Sequence, residues 1–302
     1  MAGEINWRKE LPGLALYEQE PLARRTTFRI GGPARWFLCP KSREEAEEVL
    51  KICSRTGIEP FFFGNGSNIL APDEGYGGVV VSSAGLDTLE CQGNQIVAGS
   101  GALLSRAASF AAQNGLSGLE FAQGIPGSVG GGARMNAGAY GGELKDAVAW
   151  VEAVDREGTV SRFAGEECRF AYRHSRFCEE RLFITAVCFS LTPGDREEIR
   201  EKMADFAQRR RDKQPLDYPS AGSTFKRPQG HFAAALIDQC GLKGLRVGGA
   251  QVSEKHAGFV VNVGKATARD VLTLMAQVQE TVAAQTGVVL EPEIEIMDQA
   301  GE

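Results

Sequence analysis

Residues 124–142 read GIPGSVGGGARMNAGAYGG, from Gly124 to Gly142, and this stretch decides the fold. Glycine this dense is not expected to build a core; it lets backbone approach a ligand closely. Upstream, Pro60-Phe61-Phe62-Phe63 reads as a buried strand that feeds directly into Gly64-Asn65-Gly66-Ser67-Asn68. A strand entering a Gly-rich turn is a setting in which backbone N–H groups grip a phosphate. No Rossmann G-x-G-x-x-G follows a strand and no Walker G-x-x-x-x-G-K-[ST] occurs, so a dinucleotide would need another scaffold.

Outward from these loops the chain alternates strands and helices. Arg35–Cys39 is strand-like. Ser42 caps a helix, with Glu45 at the capping-box position, Ala46, Val49, Leu50 and Cys53 on one face, and Gly57 at its end. Gly78–Ser82, Thr88–Cys91 and Gln95–Ala98 read as short strands. Leu103–Asn114 reads as a helix stopped by Gly115. Ala147–Asp155, Val160–Phe163 and Leu182–Leu191 are strands again, and Asp195–Arg211 is a charged amphipathic helix leading into a last domain. There, Phe232–Cys240 is helical and Phe259–Val263 is a strand. Thr267 and Asp270 form a capping box for a helix to Thr286, ended by Gly287. Val288–Met297 is expected as a closing strand. The pattern predicts an α+β protein with mixed sheets.

Composition narrows the function. The 302 residues exceed one ordinary domain, and 43% hydrophobic with 24% charged residues excludes a disordered chain. The net charge of −6 argues against nucleic acid as a partner. No apolar run approaches a membrane span. Met1–Arg8 lacks a basic stretch followed by an apolar core, so no signal peptide is expected. Seven cysteines without C-x-x-C, and His174, His231 and His256 without H-E-x-x-H, point to reduced cytoplasmic thiols and to no metal site.

Seven motifs in order along nearly the whole chain carry a resemblance. They are Thr27-Phe28-Arg29-Ile30-Gly31-Gly32, Gly64-Asn65-Gly66-Ser67-Asn68, Ile125-Pro126-Gly127-Ser128-Val129-Gly130-Gly131, Met135-Asn136-Ala137-Gly138-Ala139-Tyr140-Gly141, Tyr172-Arg173-His174-Ser175-Arg176-Phe177, Ala221-Gly222-Ser223-Thr224-Phe225-Lys226 and Leu290-Glu291-Pro292-Glu293. Together they resemble the UDP-N-acetylenolpyruvoylglucosamine reductase family of peptidoglycan precursor synthesis. The resemblance implies an FAD-binding fold of the vanillyl-alcohol-oxidase (PCMH) type in two subdomains, 1–83 and 84–197. It implies an α+β substrate-binding domain at 198–302, whose last strand returns toward the FAD region. The implied cofactors are non-covalent FAD and NADPH as reductant; the implied substrate is a nucleotide sugar.

The implied cofactor contacts are Arg29, Gly31, Gly32, Gly64, Asn65, Gly66, Ser67, Asn68, Gly124, Pro126, Gly127, Ser128, Gly130, Gly131, Asn136, Gly138 and Tyr140. Backbone N–H groups suit a pyrophosphate, and Ser67, Asn68 and Ser128 add neutral donors. Ser128 also reads as a helix N-cap, a compatible role because a helix N-terminus attracts anions. The implied catalytic residues are Arg173, Ser223 and Glu293. Without the resemblance, Arg173 reads as one of a solvated basic cluster with Arg169 and Arg176, Ser223 as a turn serine, and Glu293 as an edge carboxylate. The match selects Glu293 over Glu291. Lys213, Lys226 and Arg227 are substrate-side candidates, and Lys226 is the neighbour expected to support proton loss from Ser223. His256 reads as structural or peripheral. Leu242–Phe259 contains no Tyr, so the chain resembles the shorter family form that lacks a closing Tyr loop. Two other classes fit the fold: a flavin oxidase or dehydrogenase with another substrate, and a non-catalytic nucleotide-sugar binder.

Overall fold

The computed structural model describes residues 5–298. The chain divides into two compact units. The first holds 1–18, 36–65 and 78–209; the second holds 19–35, 66–77 and 210–302.

In the first unit a four-stranded sheet runs in the order Ala15–Pro21, Pro33–Cys39, Tyr76–Ser82, Phe61–Phe63. Phe61–Phe63 pairs in parallel with Val80–Ser82. The helix Arg43–Thr56 lays Ala46, Val49, Leu50, Ile52 and Cys53 into a core with Leu38, Val79, Val81, Val154 and Phe183. Ser42 Oγ caps it by accepting from Glu45 N–H at 3.2 Å, and Gly57 ends it at φ +69°. The Glu45 carboxylate, expected to close a capping box on Ser42, accepts instead from Lys41 N–H at 2.8 Å.

A second, antiparallel sheet of five strands follows, in the order Val160–Ala164, Val148–Val154, Phe183–Ser190, Gln95–Gly99, Leu89–Gln92. The helix Leu104–Gln113 buries an alanine stripe, Ala107, Ala108, Ala111 and Ala112, in the core beneath that sheet.

One expectation fails here. The glycine-rich segment does contribute to a core. Val129–Arg134 is a short helix, and its Val129, Gly130, Gly132 and Ala133 are buried. A Cβ on Gly130 would lie 2.7 Å from the Ser100 Cβ, and one on Gly132 would lie 2.9 Å from Leu104 Cδ1. Two of the segment's eight glycines, Gly130 and Gly132, therefore serve helix packing rather than ligand approach.

The second unit packs the helix Ala268–Thr286 on a three-stranded antiparallel sheet, Arg246–Val247, Ala250–Val252 and Val260–Asn262. Val271, Leu274, Met275, Val278 and Val282 share its core with Phe28, Ile30, Leu236 and Ile237. The expected closing strand Val288–Met297 is interrupted. Only Glu295–Ile296 is a strand, parallel to Ile69–Leu70, and Pro292 makes an isolated bridge to Phe225. Proline has no N–H to sustain a continuous ladder.

The N-terminus of Ala268–Thr286 is closed by the Thr267–Asp270 capping box, while Asp73 accepts from Ala268 N–H at 2.7 Å and Arg269 N–H at 3.1 Å. Asp73→Ala should cost about 1 kcal/mol of stability, the usual worth of a cap. The Thr267 and Gly249 backbone N–H groups hold the Asp270 carboxyl below the ordinary aspartate range. A depressed folded pKa stabilises above the unfolded value, and that stability is lost as pH falls through the folded value. Asp270→Asn should therefore lower the urea midpoint at neutral pH, with the deficit shrinking in acid. A deficit that stayed constant across that pH range would contradict the assignment.

Candidate active site

Within the first unit, the two glycine loops meet. Asn65 Nδ2 donates to Pro126 C=O, and a Cβ on Gly64 would stand 2.7 Å from Ser128 Oγ. Ser128 is the N-cap of Val129–Arg134, its Oγ accepting from Gly131 N–H at 3.3 Å. The neighbouring amides are also committed: Val129 N–H to Ala102 C=O and Gly130 N–H to Ser100 C=O, both at 2.8 Å. The expected anion grip thus loses the amides of Gly130 and Gly131 to internal bonds, while Gly124 and Pro126 are exposed and Gly127 half-buried.

Gly138 belongs to a tight hairpin, Gly138–Ala139 against Gly142–Glu143, where a Cβ would meet Glu143 Cγ at 2.8 Å. Its turn residues Tyr140 and Gly141 lie at φ +54° and +89°, the positive pair that such turns require. The Tyr140 ring stacks on Phe206 with centroids 4.8 Å apart.

Arg173 occupies the tip of the turn Ala171–His174, with its guanidinium carbon 5.1 Å from the Tyr172 ring centroid. Asn136 is wholly buried beneath this turn. Glu143 lies below the ordinary carboxylate range: the Lys145 hydrogen bond is the main cause, burial opposes it, and Asn136 and the Lys145 and Arg173 charges add to it.

Within the second unit, the motif Thr27–Gly32 is packed from several sides. Thr27 N–H donates to Gly66 C=O at 3.0 Å, and Thr27 Oγ1 to Ser220 C=O at 2.6 Å. Gly31 and Gly32 have backbone reasons to be glycine, since a Cβ would lie 2.6 Å from Ala71 Cβ and 2.3 Å from Asp73 C=O respectively. Arg29 is exposed on left-handed backbone at φ +56°. Ser67 is half-buried in its loop.

Ser223 and Glu293 lie on neighbouring segments. Glu293 N–H donates to Thr224 C=O and Lys226 N–H to Glu291 C=O, both at 2.8 Å, which fixes the register. Asn68 Nδ2 donates to Glu293 C=O at 3.0 Å, while Glu295 N–H donates to Asn68 C=O at 2.8 Å. The Asn68 side chain, expected as a neutral donor to the cofactor, thus spends one donor on the Glu293 backbone. Ser223 and Glu293 are half-buried, whereas Glu291 is exposed.

Lys226, expected beside Ser223, places its Nζ 3.3 Å from Glu291 Oε2. Arg227 lies over the Phe232 ring at 4.7 Å. Lys213 is exposed at the end of the helix Arg196–Lys213. His256 accepts from Gly258 N–H on Nδ1 at 3.2 Å. Burial is the main force holding it below the ordinary histidine range, and the charges of Lys243 and Lys213 push the same way.

Two buried polar atoms beside the glycine loops have no partner among the described residues: the Ser100 hydroxyl, which can donate to a ligand, and Gln123 Oε1, which can accept from one. Gly64 lets its backbone stand against Ser128, where a side chain would clash. No His, Cys, Asp and Glu group among the described residues could hold a metal ion.

Comparison with known proteins agrees with this chemistry. Residues 34–164 match the FAD binding domain family, so the fold and its loops define an FAD-binding protein. Residues 214–297 match the C-terminal domain of UDP-N-acetylenolpyruvoylglucosamine reductase. Proteins of that name from Caldanaerobacter subterraneus subsp. tengcongensis and Agathobacter rectalis are each 46% identical to the chain. The first match covers 93% of both chains and the second 96% of both. The crystal structure of the Thermus caldophilus reductase superposes with a TM-score of 0.81 at 37% identity, covering 94% of this chain and 99% of that one. The chain belongs to the UDP-N-acetylenolpyruvoylglucosamine reductase family.

The cofactor should be held without a covalent link. No His precedes His174, Cys39 and Cys53 are buried, and burial pushes the Cys53 thiol up to about 12. A buried thiol of that kind is a poor nucleophile. Acid or heat denaturation should release yellow cofactor into the supernatant. Colour that stayed with the precipitate would contradict this reading.

Proposed function

We propose that this chain reduces the enolpyruvyl ether of UDP-N-acetylglucosamine to UDP-N-acetylmuramate, with NADPH as electron source, in the cytoplasm. Its membership of the reductase family at 46% identity over nearly the full length carries the reading. FAD, which the glycine loops would hold, would supply the hydride relay between NADPH and C3 of the enolpyruvyl group. A reducing compartment suits seven cysteines that form no disulfide. No helix among the described residues is long and apolar enough to cross a membrane. We further assign 1–83 and 84–197 to the two FAD-binding subdomains and 198–302 to the substrate domain.

The chain's own residues then divide the remaining work. Hydride arrival at C3 builds negative charge at C2 and in the adjoining carboxylate. Charge of this kind needs donors aimed in advance. The Arg173 guanidinium offers a planar fork that matches two carboxylate oxygens. Ser223 Oγ delivers a proton to C2, which completes the saturated lactyl ether. Glu293 steadies the developing charge, either protonated or through a bridging donor. Its register against Thr224 and Asn68 supports that role. Glu291 is exposed and paired with Lys226, so its part is peripheral. Gly64–Asn68, Gly124–Ser128 and Tyr140 are the segments assigned to the cofactor. Lys213 and Arg227 are assigned to the substrate phosphates.

Stopped-flow measurement separates the two half-reactions. Ser223→Ala should leave flavin reduction by NADPH intact and slow reoxidation by the enolpyruvyl substrate by about 10²–10⁴-fold, the usual worth of a positioned proton donor. Glu293→Gln should slow the same step, while Glu291→Gln should be mild. Equal slowing of both half-reactions by Ser223→Ala would overturn its role, and greater damage from Glu291→Gln would overturn the register.

A further inference from the structure

The turn that carries Arg173 closes by two short bonds, Ala171 N–H to His174 C=O at 3.0 Å and His174 N–H to Ala171 C=O at 3.2 Å. Arg173 sits at φ +53°, a left-handed conformation costly for a long L side chain. Such a turn persists only where its surroundings hold it. Ser175 anchors one side, its buried Oγ donating to Arg134 C=O at 2.6 Å.

Asn136 anchors the other side. Its Nδ2 donates to Ala171 C=O at 3.0 Å and to Glu143 Oε2 at 2.9 Å, while its Oδ1 accepts from Lys145 N–H at 3.0 Å. The residue itself is at φ +43°, backbone that Asn tolerates better than most residues. Its side chain is thus consumed inside the chain, which separates it from the cofactor contact that motif reading assigns to it. One amide ties the carbonyl beneath the Arg173 turn to the Glu143 carboxylate. That carboxylate also takes Lys145 Nζ at 2.8 Å and lies within the electrostatic reach of Arg173.

We propose that Asn136 and Glu143 are positioning residues for Arg173: Asn136 fixes where the turn stands before substrate arrives, and the Glu143 carboxylate, anchored by Asn136 and Lys145 Nζ, supplies a fixed negative charge in its neighbourhood. The inference rests on the substrate-carboxylate role given to Arg173 above. A fork that must meet two oxygens in line is sensitive to displacement, and a misplacement near 1 Å can cost roughly 10²-fold in rate.

Asn136→Asp tests this. It keeps the size, the Oδ1 acceptor and the tolerance of left-handed backbone, removes the Nδ2 donors, and sets a second carboxylate against Glu143. Flavin reoxidation by the enolpyruvyl substrate should slow roughly 10²-fold, with flavin reduction by NADPH unchanged. Substrate titrated into the oxidised protein, followed by the flavin spectrum without turnover, should show a weakened Kd. The decisive readout is a double-mutant cycle with Arg173→Lys. If Asn136 acts through Arg173, its substitution adds little once Arg173 is replaced. Glu143→Gln still accepts from Asn136 but carries no charge, and it runs the same cycle should Asn136→Asp fail to fold. Additive losses, or equal slowing of both half-reactions, would overturn the positioning role. A silent Arg173→Lys would overturn the reading of Arg173 itself, and the positioning proposal with it.

Discussion

The close approach of the helix Val129–Arg134 to the segment Ser100–Leu104 is the contact on which the first unit's functional loops depend. Val129 and Gly130 donate to Ala102 and Ser100, Leu104 donates back to Gly127, and a Cβ at Gly130 or Gly132 would collide. Once the helix is seated, Ser128 stands against Gly64 and Pro126 accepts from Asn65, so both glycine loops share one location. At the other end, Arg134 C=O accepts from Ser175, and Asn136 reaches Ala171. The turn of Arg173 is therefore held through the same helix. A single larger residue on its packed face would displace both the glycine loops and the Arg173 turn.

Backbone strain follows the same map. Among the described residues, eight non-glycine positions have positive φ, and Arg29, Asn136, Tyr140 and Arg173 are four of them. Each belongs to one of the motifs that carry the resemblance to the reductase family. Left-handed backbone at an arginine or tyrosine survives only where surrounding packing over-determines it. Here the supports are visible: Asn136 and Ser175 around Arg173, and the hairpin pairing around Tyr140. In the second unit Glu293 is placed by backbone bonds to Thr224 and by the Asn68 amide. Both units thus carry their candidate site residues on short segments pinned by neighbouring polar groups rather than on long regular elements.

Elements with strong local signals were legible in the sequence. The capped helices Arg43–Thr56 and Ala268–Thr286 announce themselves through Ser42, Thr267, Gly57 and Gly287. The buried strands of the five-stranded sheet do so through apolar runs. The strand Ala15–Pro21 was not legible, because no residue in it is fully buried and its sequence lacks alternation. The closing segment looked like one strand because its apolar residues continue past Pro292, and the break shows only when its pairing partners are known. Of the candidate site, the motifs nominate Arg173, Ser223 and Glu293, but not the bonds that hold their segments. The motifs mark Asn68 and Asn136 as ligand donors, whereas the internal bonds of their amides to Glu293 and Ala171 carry no separate sequence signal. Glu143 was missed for a similar reason: its partners Asn136 and Lys145 become meaningful only through the hairpin between them.

The visible spectrum of the purified protein tests the account most directly, recorded before NADPH, after NADPH, and after UDP-N-acetylglucosamine enolpyruvate. The account predicts a yellow protein whose flavin band bleaches on adding NADPH and returns in the absence of oxygen only when the enolpyruvyl substrate is added. A colourless protein, or a reduced flavin indifferent to that substrate, would contradict it.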